Sequence, residues 1–150
     1  MNQVFSSTGP AISTVTARIP PSPVMDLTAY AGNKEGKINL HWTSTGEDGL
    51  TGQLVPSAEF RIDRSTALGT SFAPDRDNVV IISTTALPGS AHGYELGNLA
   101  PGATYYFALF VKDNDHHFSG VSNIASSWAQ MDVTSPSAIA DLSVELLGDA

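Results

Sequence analysis

The sequence predicts an all-β fold, a sandwich of seven antiparallel strands, from three observations. Short runs of alternating apolar and polar residues recur between residues 20 and 131, separated by polar loops that contain glycine. No part of that region shows the apolar period of a helix. The chain has 150 residues, of which 41% are hydrophobic and 15% charged, so it can bury one core. The predicted strands cover residues 24–31, 37–44, 58–66, 78–83, 93–99, 105–111 and 121–131.

The second and third strands alternate most regularly. In the second strand Leu40 and Trp42 point inward, with polar residues between and around them. In the third strand Phe60 and Ile62 point inward, whereas Asp63 points outward and is expected in solvent. This alternation is typical of strands that have one face on a core.

The sixth strand is the most apolar of the seven. Pro101 and Gly102 predict a tight turn that leads into it. Both faces of the strand are apolar, so we expect a central strand that is covered on both sides. The predicted core comprises Leu40, Trp42, Phe60, Ile62, Leu99, Tyr105, Phe107 and Leu109.

The composition argues against several kinds of partner and site. A net charge of −8 argues against nucleic acid or an anionic membrane as partner, and no apolar run is long enough to insert into a bilayer. Because the chain has no cysteine, it has no disulfide, thiolate metal site or cysteine nucleophile. Abundant Ser, Thr and Gly with little charge favour an exported bacterial or archaeal protein, so we expect an extracellular or cell-surface location.

An internal repeat indicates more than one module. Residues 21–28 (PSPVMDLT) resemble residues 136–143 (PSAIADLS). We therefore expect residues 1–19 to be the end of a preceding module or a linker, and residues 20–131 to be one complete domain. Residues 132–150 are then a linker and the first strand of a following module.

A set of positions spread along the chain carries a family pattern: Trp42, Leu99-x-Pro101-Gly102-x-x-Tyr105-x-Phe107, Asp113 and Ser119-x-x-Ser122-Asn123. Together they resemble a fibronectin type III domain of the prokaryotic kind, an immunoglobulin-like sandwich of seven strands. The resemblance implies that the Tyr105 hydroxyl bonds to the backbone just upstream, as in a tyrosine corner. The connection over residues 67–77 is longer than the family's. No Arg-Gly-Asp precedes the last strand, so integrin binding of the animal type is not implied.

The loop over residues 113–117 is the candidate metal site. Two carboxylates and two imidazoles fall within it, and such groups can hold an ion such as Ca²⁺. The alternative is a polar loop whose side chains bond the backbone of their own turn, and the family resemblance favours this alternative for Asp113. We therefore expect no metal and no cofactor. The candidate ligands are Asp113, Asp115, His116 and His117.

Catalytic patterns are missing from the sequence. It contains no G-x-S-x-G elbow, no base with an orienting acid, and no identifiable pair of carboxylates on facing strands. Residues 32–37 fall one position short of a phosphate-binding loop and precede no helix, so we interpret them as a hairpin turn. His41 and His92 are isolated and are expected in solvent. We therefore expect a protein that is not an enzyme.

The expected function is that of a non-catalytic spacer or adhesion module in a tandem array within a larger secreted or cell-surface protein, with neighbouring modules or another surface protein as partners. One alternative is a filament subunit whose terminal segment adds as a strand to the open edge of an identical subunit. Another is a carbohydrate-binding accessory domain of a polysaccharide-degrading enzyme. Four aromatic residues are candidates for a sugar-stacking or protein-docking patch, although such residues more often plug the ends of a sandwich or lie at interdomain contacts, namely Tyr30, Phe72, Phe118 and Trp128. The predicted interface residues are Ile139, Leu142, Val144, Leu146 and Trp128.

Overall fold

The structure of the protein, a computed structural model, describes residues 18–145 and residue 148. Within that part of the chain there are seven β-strands, and no helix there is long and apolar enough to cross a bilayer. The predicted all-β fold with seven strands is confirmed. The strands are β1 (Thr28–Ala31), β2 (Ile38–Thr43), β3 (Glu59–Ser65), β4 (Val80–Ser83), β5 (Ala91–Leu96), β6 (Thr104–Lys112) and β7 (Ala125–Trp128).

The strands form two antiparallel sheets that pack face to face. One sheet has the order β1-β2-β5, and the other has the order β4-β3-β6-β7. At one side of the sandwich the edge strands β1 and β7 are in contact. At the other side, β4 and β5 are the edge strands of opposite sheets.

The connections gather at the two ends of the sandwich. We call the end where the described chain enters the N-terminal pole, which carries residues 44–58, 84–90 and 113–124. The opposite end, the C-terminal pole, carries residues 32–37, 66–79 and 97–103. The chain leaves β7 at the C-terminal pole, so its entry and exit lie at opposite ends.

The core lies between the sheets and follows the predicted alternation. Leu40 and Trp42 on β2 are buried, and the Trp42 ring meets Phe60 of β3 edge-on at 5.2 Å between centroids. On β6, Leu109 is buried on the core side and Phe110 on the opposite side, so this strand is covered on both faces as predicted. All the predicted core residues are buried except Tyr105, which is half-buried and packs against the core.

The predicted tyrosine corner is present in the structure. The Tyr105 hydroxyl accepts a hydrogen bond from the Ala100 backbone N–H at 3.0 Å. Gly102 lies in the same turn with φ 74°, a conformation that glycine adopts without steric cost. The bond fixes the turn before β6 to the first inward-facing side chain of that strand.

The first strand is shorter than predicted, because a side chain replaces part of its ladder. β1 begins at Thr28 rather than at residue 24. Just upstream of β1, the Asn123 side chain binds both the N–H and the carbonyl of Leu27. Asn123 Oδ1 accepts from Leu27 N at 2.9 Å, and Asn123 Nδ2 donates to Leu27 O at 2.8 Å. We call this arrangement the Asn123 clamp.

The predicted limits of the fifth and seventh strands were also wrong. β7 begins at Ala125, four residues late, because the Ser122 hydroxyl accepts from the Leu109 N–H at 2.8 Å where a strand would pair. β5 occupies Ala91–Leu96 rather than residues 93–99. The chain turns after β5, since Asn98 has φ 56°.

Asp63 corrects another prediction, because it lies on the outward face of β3 and is nevertheless fully buried. The connection between β3 and β4 folds over this face. Asp63 Oδ2 accepts from the Ala73 N–H at 3.1 Å and from Arg76 Nη1 at 2.9 Å. Arg61 Nη1 donates to the Pro74 carbonyl at 3.1 Å. The long connection is therefore pinned to the sheet by hydrogen bonds from and to β3.

Candidate functional site

The loop over residues 113–117 uses its carboxylate to build a turn. Asp113 is buried, and its Oδ1 accepts from the His117 N–H at 2.7 Å while its Oδ2 lies 3.1 Å from His117 Nδ1. Asp115 forms an ion pair with Arg18, and His116 is exposed at φ 70°. Among residues 18–145 and residue 148, no cluster of three or more His, Asp or Glu residues could hold a metal ion. The geometry therefore gives no support to a metal site here.

Ser90 and His92 form a hydroxyl–imidazole pair that the sequence analysis did not anticipate. Ser90 Oγ lies 3.0 Å from His92 Nε2 and 2.6 Å from the Leu87 carbonyl. The carbonyl can only accept, so the hydroxyl proton points to Leu87 and the imidazole must donate. A nucleophilic serine needs the reverse arrangement, in which the imidazole takes its proton.

His92 also corrects a prediction, because it is half-buried rather than solvated. Its ring stacks on Trp42 with 5.8 Å between centroids and an interplanar angle of 21°. Burial lowers the pKa of His92 below its ordinary value of 6.5. The two rings, with Phe60 and Ile82, line a slot of about 340 Å³ between β4 and β5. The slot is small, and the buried Trp42 Nε1 has no hydrogen-bond partner in the described chain.

The four aromatic residues that were expected at the surface do not form one stacking surface. Tyr30 is 57% exposed on the outer face of the three-stranded sheet, whereas Trp128 is 56% exposed on the outer face of the four-stranded sheet. Phe72 is half-buried in the connection after β3. Phe118 is half-buried, and the Arg61 guanidinium lies 5.0 Å from its ring centroid. A sugar chain therefore finds no continuous aromatic platform among these four.

An apolar groove of about 620 Å³ lies at the N-terminal pole. We call it the polar-end groove, after its position at this pole of the sandwich. Three distant segments build it, namely the entry to β1, the loop after β2 and the loop before β5. Met25 and Leu50 line it and expose 70% and 69% of their surface, and Pro23 and Pro88 complete its apolar rim. Sequence reasoning missed the groove, because its members are isolated apolar residues in polar loops.

The segment after β7 is extended and exposed. Residues 131–145 are all exposed, and the predicted interface residues Ile139, Leu142 and Val144 expose 76%, 80% and 80% of their surface. Leu146 lies outside the described residues, as do residues 1–17. We call residues 131–145 the C-terminal segment.

No protein-family model matches this sequence, and no curated protein matches it. The fold is nevertheless that of solved fibronectin type III domains. The third fibronectin III domain of the human KIAA0343 protein superposes with a TM-score of 0.55 over 91% of this chain and 99% of that domain, at 12% identity. The domain of human fibronectin type III domain containing protein 3 gives 0.51 over 79% and 94%, at 14% identity.

A more distant likeness concerns part of an enzyme. A family 76 glycoside hydrolase from a bovine Bacteroides thetaiotaomicron strain aligns over 71% of this chain but only 20% of its own length, at 18% identity and a TM-score of 0.46. That likeness carries no functional argument. At the identities of all three structures, the comparison establishes the fold alone.

Proposed function

We propose that this chain is a non-catalytic β-sandwich module that joins and spaces neighbouring modules in a larger secreted or cell-surface protein. The observation that carries the proposal is the C-terminal segment. It leaves the sandwich exposed, and its residues 136–143 repeat the sequence with which residues 21–28 dock on this sandwich.

The repeat retains the side chains that dock. In residues 21–28, Val24 and Leu27 are almost fully buried, with 1% and 2% exposed. The corresponding residues Ile139 and Leu142 are of the same chemical type but are exposed. A segment that carries core side chains in solvent is expected to gain their burial when it meets a partner, at roughly 1.5–3 kcal/mol for each side chain.

The residue that makes a polar contact in the first copy of the motif repeats as well. Asp26 Oδ1 accepts a hydrogen bond from the Thr43 N–H at 3.0 Å and so ties the docking segment to the end of β2. Burial raises the pKa of Asp26, but the hydrogen bonds from Thr43 outweigh it and lower the pKa overall. Asp141 occupies the matching position in the C-terminal segment. The repeat thus preserves both the apolar and the polar anchors of the first strand.

Transplanting the segment tests the proposal directly. Residues 21–28 are replaced by the sequence of residues 136–143, which requires Pro23→Ala, Val24→Ile, Met25→Ala and Thr28→Ser. If the C-terminal segment is a true docking strand, the free energy of unfolding of this variant in urea should lie within about 1.5 kcal/mol of the parent value. That is the usual cost of volume-conserving apolar changes.

The control inserts the same sequence shifted by one residue, so that its apolar side chains face the wrong way. The free energy of unfolding of that variant should fall by at least about 3 kcal/mol, because Val24 and Leu27 are then replaced by residues that do not fill their sites. Equal losses in the two variants would overturn the proposal. The readout is the urea midpoint followed by the fluorescence of buried Trp42 in a Trp128→Phe background.

Strand addition between identical chains is a second candidate function, favoured by the edge at β4. One edge of β4 pairs with β3, and its other edge pairs with no strand among the described residues. Ile81 of β4 exposes 54% of its surface. The strand contains no proline or lysine, which commonly protect such edges. In the C-terminal segment, Leu142 and Val144 alternate with polar residues, as an added strand requires.

A further inference from the structure

We propose that the slot between β4 and β5 binds a small, uncharged, largely apolar molecule that offers one hydrogen-bond acceptor to Trp42 Nε1. The inference goes beyond the proposed function and does not depend on it. It rests on a buried donor that lacks a partner, on walls without a formally charged side chain, and on an opening between two strand edges.

The indole N–H of Trp42 carries the inference. This group can only donate a hydrogen bond, the side chain is 4% exposed, and Nε1 has no partner in the described chain. Two contacts hold the ring in place, since Phe60 meets it edge-on at 5.2 Å and His92 stacks on it at 5.8 Å. An unsatisfied buried donor costs free energy, so a bound acceptor that reaches Nε1 would stabilise the complex.

The walls of the slot favour an uncharged ligand. Phe60, Ile82 and Ala86 supply apolar surface, and none of the described residues that line the slot is an Asp, Glu, Lys or Arg. His92 is the one titratable side chain among them. Burial lowers the pKa of His92, which keeps its imidazole neutral at neutral pH. An ion would therefore lose its hydration in the slot without gaining a charged partner.

The slot opens between two edge strands. β4 ends the four-stranded sheet and β5 ends the three-stranded sheet, and in the described part of the chain each pairs with a strand on one side only. Ser83 of β4 and Gly93 of β5 line the slot and are exposed, and Gly93 places no side chain there. A small molecule can therefore enter without the separation of paired strands.

The volume of the slot limits the size of the ligand. About 340 Å³ lies near the lower end of the range of small-molecule sites, which runs from about 300 to 1,000 Å³. It corresponds to about eleven water molecules at about 30 Å³ of liquid volume each. A single substituted ring fills such a space. A neutral aromatic ketone thus matches the slot in size, polarity and hydrogen bonding.

Titration of the full chain, labelled with ¹⁵N, with acetophenone tests the inference. The sequence contains two tryptophans, so two-dimensional NMR reports on the indole N–H groups of Trp42 and Trp128 separately. The Trp42 indole proton should move downfield and saturate with a Kd on the order of 1 mM, the affinity of a fragment of this size. The exposed Trp128 is the internal control and should not shift. An unchanged Trp42 indole resonance would overturn the inference.

Two further probes separate the acceptor from the ring and from charge. α-Methylstyrene has the heavy-atom skeleton of acetophenone with a CH₂ group in place of the carbonyl oxygen, so it should cause no downfield shift of the Trp42 indole proton. Benzoate has a similar shape but carries a negative charge, so it should bind at least about tenfold more weakly than acetophenone. An equal downfield shift with α-methylstyrene would overturn the role of the acceptor, and tighter binding of benzoate would overturn the preference for an uncharged ligand.

A pair of variants places the binding in the slot. Ile82→Phe enlarges a half-buried side chain that lines the slot and should weaken acetophenone binding at least about tenfold. Val80→Phe is the matched control, because Val80 is also half-buried and packs on the core from the same strand, but does not line the slot. Equal affinities in the two variants would refute binding in the slot. The comparison of the three probes uses the parent chain, so it decides the inference even if a variant fails to fold.

Discussion

The buried carboxylate of Asp63 gives a quantitative test of how the long connection is held. Its Oδ2 receives hydrogen bonds from the Ala73 N–H and the Arg76 guanidinium, and its Oδ1 is buried without a partner in the described chain. Replacing Arg76 by methionine keeps the length of the side chain but leaves a buried charge with a single donor. We expect Arg76→Met to destabilise the fold.

The magnitude follows from burial and exposure. Removing one member of a buried ion pair costs about 3–5 kcal/mol, because the remaining charge stays desolvated. The Arg76 side chain is 36% exposed and the Ala73 donor remains, so solvent screening reduces the expected loss to about 2–3 kcal/mol. Adding Asp63→Asn removes the charge itself. The loss of unfolding free energy in the double variant should therefore be smaller, by at least about 1 kcal/mol, than the sum of the losses in the two single variants.

Urea unfolding provides the assay. Trp42 is 4% exposed and Trp128 is 56% exposed, so a Trp128→Phe background leaves fluorescence that reports on the core. Arg64→Met serves as the matched control. Arg64 lies on the same strand as Asp63 and pairs with no acid in the described residues. A loss below about 0.5 kcal/mol for Arg76→Met, or strict additivity in the double variant, would refute the reasoning.

Three further variants probe local hydrogen bonds and titrating groups. Tyr105→Phe removes the bond that its hydroxyl accepts from the backbone and should cost about 1 kcal/mol in urea, and an unchanged midpoint would contradict the tyrosine corner. Burial raises the pKa of Glu59, but hydrogen bonds from Arg61 and Lys112 outweigh it and lower the pKa below 4.5. Glu59→Gln should therefore cost about 1 kcal/mol at neutral pH, and the difference should vanish as acid protonates Glu59 below its folded pKa. Burial lowers the pKa of His92 below 6.5, so the folded state loses stability as pH falls from about 6.5 to the folded value, and His92→Phe should lack that loss in midpoints measured across this range.

The sequence was most informative where one strand specifies its own environment. In β2, alternation alone identifies Leu40 and Trp42 as core, and both are buried. In β6, two apolar faces indicate cover on both sides, and Phe110 is buried on the face away from the core. These patterns predict burial without identifying the element that packs on the strand, because the hydrophobic effect is not directional.

The sequence was least informative where distant segments meet. Alternation places Asp63 on the outward face of β3, but it cannot say that a loop ten residues later covers that face. The Asn123 clamp joins positions 96 residues apart, and the polar-end groove combines Met25, Leu50 and Pro88. The long connection over residues 67–77, which contains Arg76, was the one signal in the sequence for a compensated buried acid.

The Asn123 clamp also explains why the C-terminal segment lies exposed although it carries a docking sequence. The clamp satisfies both backbone groups of Leu27, so this site for the motif is already filled by the chain's own residues 21–28. The first strand is also connected directly to β2, which gives it a large advantage in effective concentration over any competing segment. On the proposed function, Leu142 and its neighbours would find an equivalent clamp on another module. A variant that opens the site, Leu27→Asp, should bind a peptide of residues 133–150 that the parent chain does not bind, and calorimetry that detects no binding to either would argue that the segment is not a docking strand.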